Sequence, residues 1–177
     1  GSNDSTALDI SVACMHDSAT GEYSSYLQED FPKLWKIIEQ ADMLITFNGD
    51  HFDIPLLNKY YSGDLTKIKS LDLLVEVRNV LGRRIKLDTI AEATLGIKKA
   101  GHGLDAVEWW KNGEIEKIKK YCIEDVKITK DLYDYALTNG KLKYKDLGLN
   151  GQIKDIKLKT ENWEKKADSA MTFTLPF

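Results

Sequence analysis

The chain has 177 residues, 42% of them hydrophobic, and a formal net charge of −3. That is apolar material for one well-packed domain, and the charge is not the footprint of a tight nonspecific nucleic-acid binder, although clustered metal ligands would leave a nuclease acidic too. Two cysteines, Cys14 and Cys122, are no disulfide scaffold; lying in apolar runs with no membrane-span-length segment anywhere, they point to a reducing, cytoplasmic setting.

Taken in chain order, residues 1–7 are polar. Leu8 to Met15 reads as a strand and Tyr23 to Leu27 as its hairpin partner, with Asp17-Ser18-Ala19-Thr20-Gly21 as the turn. Phe31 to Gln40 is expected as a helix, capped by Asp30 and with Pro32 in its first turn. Met43 to Phe47 is short and almost wholly apolar, which suits a central strand covered on both faces. It ends in Asn48-Gly49, and a new helix is expected from about Asp53. A buried strand feeding a loop and then a helix is a common place for an α/β active site.

Further helices are expected at 64–80, 86–95, 103–111 and 114–138. Gly96 should stop the second of these as a left-handed cap. The last carries the stripe Ile115, Ile118, Cys122, Asp125, Val126, Thr129, Leu132 and Tyr133. Beyond it, Ile153, Ile156 and Leu158, and then Met171, Phe173 and Leu175, alternate weakly and suggest strands or extended arms. Residues 141–177 hold 8 Lys against 5 Asp or Glu, either a phosphate-touching surface or a solvated lysine face. The whole reads as one domain over 1–177, with 147–177 as a C-terminal extension.

Two segments bear the chemistry. Asp125 lies within an apolar stripe, where a carboxylate needs a partner: a salt bridge, a loop to cap, or a cation. Tyr121, one helical turn earlier, shares its face and could hold a water beside a ligating carboxylate. Asp53 opens a helix after a buried strand, so first-turn electrostatics compete with a role as a metal ligand. Asn48 would close the loop or contact substrate. Phe52 would pack beneath the site or touch a terminal base. His51 is either a surface residue or a phosphate neighbour. His16, His51 and His102 lack zinc-motif spacing. Gly101-His102-Gly103 could flank the site as a loop, and Arg83 and Arg84 are solvated charges or phosphate contacts.

Together these residues resemble the DEDDy 3′–5′ exonucleases of the ribonuclease H-like superfamily. Ile45 to Pro55 resembles the second exonuclease motif, including its form in proofreading domains of family B DNA polymerases. Tyr121 to Val126 resembles the third. Ser70 to Leu74, Lys86 to Ala91, Thr94-Leu95-Gly96 and Gly103 to Trp110 resemble predicted exonucleases of the YprB-like type. The similarity runs from about residue 8 to about 146.

The resemblance implies an α/β, ribonuclease H-like fold: a mixed central sheet flanked by helices. It implies a metal-dependent 3′–5′ exonuclease that takes the 3′ end of single-stranded DNA or RNA and releases nucleoside 5′-monophosphates. Two Mg²⁺ or Mn²⁺ ions would do the chemistry. Asp53 and Asp125 match two of four family carboxylates, and Tyr121 matches the residue that positions the attacking water. The first family motif, Asp-x-Glu on the first central strand, is not matched; Asp9-Ile10-Ser11 has Ser where Glu belongs. Leu8 to Leu27 resembles the second and third family strands, so the first is expected upstream of this chain or absent from it. The resemblance thus also implies an incomplete fragment, with homodimerisation or strand exchange as ways to fill the gap. The alternative is a noncatalytic nucleic-acid-binding or protein-interaction module on the same fold.

Overall fold

The structure, a computed structural model, describes residues 12–98 and 103–165. The first hairpin joins β1 (Val12–Asp17) to β2 (Glu22–Leu27), antiparallel, with Val12 opposite Leu27 and Asp17 opposite Glu22. Asp17 shapes its turn by accepting the Ala19 backbone N–H at 2.9 Å. Helix α1 (Phe31–Ile38) follows, with Pro32 in its first turn, where its missing N–H costs no helical hydrogen bond. Asp30 is its N-cap residue but makes no capping hydrogen bond with its side chain; its carboxylate pairs with Lys33 instead, at 3.5 Å.

Strand β3 (Leu44–Thr46) leads through a loop into the short helix α2 (Asp53–Asn58). The helix expected over 64–80 is three elements: a 3-10 turn at Leu65–Lys67, the strand β4 (Ser70–Asp72) and α3 (Leu73–Leu81). Strand β4 pairs parallel with β3, placing Thr46 opposite Asp72. Helices α4 (Leu87–Leu95), α5 (Gly103–Lys111) and α6 (Ile115–Asn139) complete the helical part. Gly96 ends α4 at φ 71°, donating its N–H to the Glu92 carbonyl. An antiparallel hairpin of β5 (Lys141–Asp146) and β6 (Gln152–Lys157) comes last.

Alternation along the strands shows how the layers stack. In β1, Ala13 and Met15 pack toward Phe31, Leu34 and Ile38 of α1, as does Leu44 of β3. The next residues along face the other way: Cys14 toward Lys119 and Cys122 of α6, and Ile45 toward the core containing Ile128 and Leu132 of α6. The β1–β2 and β3–β4 ladders therefore lie in one layer between α1 and α6. This is an α/β fold with antiparallel and parallel pairs flanked by helices. Among the described residues, no ladder joins β1 to β3.

The segment after 146 packs on the domain as far as 165. Ile156 is fully buried, and Trp163 stacks on Tyr133 with ring centroids 5.7 Å apart. Lys69 donates to the Trp163 carbonyl at 2.9 Å. The lysines of this region are partly committed within the hairpin, Lys141 to Asp155 and Lys154 to Asp146. The alternation at Met171, Phe173 and Leu175, and His102, lie outside the described residues.

Candidate active site

The site begins at the shared C-terminal end of the parallel strands β3 and β4. The chain leaves Thr46 and turns at Asn48, whose φ of 70° is in the left-handed region that asparagine tolerates better than most residues. Gly49 follows, and a Cβ there would stand 2.2 Å from Thr46 Oγ1. Only glycine fits this approach. Gly49 donates its N–H to that same oxygen at 3.1 Å.

Asp72, at the end of β4, anchors the loop from beneath. It is 3% exposed. Its Oδ1 accepts the backbone N–H of Asn48 at 2.7 Å and of Leu74 at 3.0 Å, and its Oδ2 accepts that of Asp50 at 3.1 Å. A buried carboxylate is tolerated when several N–H groups satisfy it, and here it also caps α3. Ser70 donates its hydroxyl to Asp50 Oδ1, tying β4 to the loop a second time. Asp72 is the residue that sequence reasoning missed as part of the site; a lone carboxylate inside the apolar run Leu71 to Leu74, within a stretch that resembles the family, was its signal.

Asp53 is the first residue of α2, with Phe52 as N-cap residue, so it occupies the first turn and not the cap. Its carboxyl is pushed up to about 6, by burial first and then by the negative charges of Asp72 and Asp125. The residue as a whole nonetheless remains exposed to solvent. Asp72 on β4 and Asp125 on α6 thus both lie within electrostatic reach of Asp53 on α2. Asp125 has Oδ1 buried in the protein. A cluster of like charges with a perturbed member is a mark of a functional site.

The other expected residues are distributed around this centre. Tyr121 lies one turn before Asp125, half-buried, its ring edge-on to Trp109 of α5 at 5.8 Å. Trp109 thus contributes packing, while Trp110 is exposed. Phe52 is 39% exposed, so it does not pack beneath the site. Asn48 and His51 line a cavity beside the loop. The arginine pair divides: Arg83 lies over the Tyr144 ring at 5.6 Å, whereas Arg84 Nη2 donates to Asn48 Oδ1 at 2.7 Å. Cys14 donates its thiol to the Lys119 carbonyl and sits next to Cys122; the neighbouring thiol first, and then burial, push its own thiol well up.

Among the described residues, no group of three His, Cys, Asp or Glu side chains is arranged to hold a metal ion. Asp72 spends both oxygens on backbone N–H groups, leaving Asp53 and Asp125 as candidate ligands. The 177-residue sequence contains no Asp-x-Glu. Two carboxylates by themselves do not fit a two-cation site.

The fold and the carboxylates brought together from α2, β4 and α6 define an α/β protein of ribonuclease H-like architecture. The chain belongs to the RNase_H superfamily, whose family model matches residues 2–137. It is 28% identical over 141 residues to a DNA polymerase of Pyrococcus glycovorans, covering 63% of this chain and 18% of the polymerase. It is 30% identical over 143 residues to a DNA polymerase of Pyrococcus horikoshii, covering 63% of this chain and 11% of that protein. The chain thus spans less than a fifth of the curated relatives it matches. Among the described residues, no helix is long and apolar enough to cross a membrane.

Proposed function

We propose that this chain is a 3′–5′ exonuclease domain of the DEDDy type, acting on the 3′ end of single-stranded DNA or RNA and releasing nucleoside 5′-monophosphates. The observation that carries the reading is that Asp125, from a distant segment of the chain, lies near enough to Asp53 for its charge to help raise the Asp53 carboxyl. The similarity to DNA polymerases supports a link to nucleic-acid processing. Asp53 and Asp125 are the proposed ligands for Mg²⁺ or Mn²⁺. Tyr121 is the proposed water-orienting phenol, and Asn48, His51 and Phe52 the proposed strand contacts.

Two carboxylates hold a pair of cations poorly, so the proposed activity depends on further ligands. A strand carrying Asp-x-Glu, supplied by more of the native protein, is the proposed source. Its proposed position is between β1 and β3, where no ladder joins the two described pairs. A noncatalytic module on the same fold is the second reading; the lack of a three-residue metal cluster among the described residues favours it.

The test is Mn²⁺-dependent digestion of 3′- and 5′-labelled single strands by this chain and by the full native protein. Stepwise 3′ loss by the full protein, abolished by Asp125→Ala and by Asp53→Ala, is the expected result. Failure of the full protein to digest either end overturns the nuclease reading in favour of the binding module.

A further inference from the structure

Beside the loop that carries Asp53 lies a cavity of about 370 Å³, lined among others by Asn48, Asp50, His51, Asp72, Arg78 and Arg84. The size is within the range of small-ligand sites. Its two acids are already engaged. Asp72 is held by the N–H groups of Asn48, Asp50 and Leu74, and Asp50 accepts from Ser70. Arg84 donates to Asn48 Oδ1, a neutral amide oxygen. Among the described residues, no salt bridge engages Arg78 or Arg84.

A guanidinium carries five donors in a planar fork suited to phosphate oxygens. Arg84 spends one donor on Asn48 and is positioned by it, because Asn48 is itself fixed by Asp72. Arg78 comes from the last turn of α3, whose first turn is capped by that same Asp72. One buried carboxylate thereby fixes the element behind each arginine. His51 adds a ring N–H at the cavity wall.

We infer that this cavity binds a phosphate group of nucleic acid, held by Arg78 and Arg84, and so anchors the strand next to the Asp53 loop. The inference rests on the exonuclease reading for its ligand class and adds to it where the strand is gripped. The phosphate belongs either to an internal linkage of the strand or to a released nucleoside monophosphate.

The test is fluorescence anisotropy of a labelled single-stranded oligonucleotide in EDTA, over a salt series. Wild type, Arg78→Ala, Arg84→Ala and, as a control outside the cavity, Arg83→Ala are compared, with circular dichroism confirming that each is folded. Loss of one phosphate contact lowers the steepness of log K against log salt by about 0.7 on a single strand. Arg78→Ala and Arg84→Ala should each show that loss, and Arg83→Ala should not. Unchanged slopes in both cavity variants, an equal loss in Arg83→Ala, or no strand binding by wild type overturns the inference. Competition by thymidine 5′-monophosphate identifies the site's phosphate as that of a mononucleotide; its failure to compete identifies a strand linkage. An arginine-dependent slope in a full protein that does not digest 3′ ends leaves the cavity standing and removes the nuclease. Digestion with unchanged slopes does the reverse.

Discussion

The carboxylate of Asp72 accepts the backbone N–H of Asn48 at 2.7 Å, across the ends of two parallel strands. Through this bond and the one from Asp50, a residue with no solvent access to speak of sets the path of the loop that presents Asp53. Asp72→Ala leaves three N–H groups near the strand ends without their acceptor. It should destabilise the domain by about 3 kcal/mol, and Asp72→Asn, which keeps one oxygen, by less. Urea denaturation checks both; equal midpoints for wild type and Asp72→Ala would refute the anchoring role.

Gly49→Ala should be destabilising by roughly 2 kcal/mol, because the new methyl overlaps a packed side chain. Replacing Thr46 by Ala in the same chain should recover only part of the loss. It removes Oγ1 and Cγ2, 2.2 and 2.5 Å from the added carbon, but not Cβ at 2.4 Å. Thermal melts of the single and double variants decide this.

The raised carboxyl of Asp53 makes stability depend on pH with a definite sign. Its folded value of about 6 stands above the ordinary 3.8. Between the two, the folded protein holds a proton that the unfolded chain has released. The group's stabilisation is complete below pH 3.8 and is lost as pH rises through about 6. Asp53→Asn removes that loss. The variant should therefore melt higher than wild type near pH 7.5, with the gap closing near pH 4. A variant that melts lower at neutral pH would contradict the account.

The Cys14 thiol, set against Cys122 and half-buried, is held well above its usual titration range. The thiolate is the reactive form, so native Cys14 should alkylate at least roughly tenfold more slowly than in urea. Peptide mass spectrometry after timed iodoacetamide labelling measures it. Equal rates in both conditions would show that the thiol is open.

Much of this was legible because local signals agreed. Gly96 closed α4, Pro32 opened α1, and the stripe of α6 included Ile118, Leu132 and Tyr133, all buried. Strand β4 was hidden because it has only three residues and runs directly into the buried Leu73 and Leu74, so no period separates strand from helix. Strand β5 was missed although Leu142 and Tyr144 alternate with three lysines, a period-two signal overshadowed by its charge. Asp53 and Asp125 were readable as motif residues, but their proximity, like the different fates of Arg83 and Arg84, depends on tertiary packing that no local pattern encodes.

The convergence of Asp53 and Asp125 on one site is most directly tested by carboxyl-carbon NMR titration of Asp53 in wild type and in Asp125→Asn. The account predicts a midpoint near 6 in wild type and a partial fall, still well above 3.8, when the Asp125 charge is removed, because burial and Asp72 continue to raise it. A midpoint near 3.8 in wild type, or one that Asp125→Asn leaves unmoved, would contradict it.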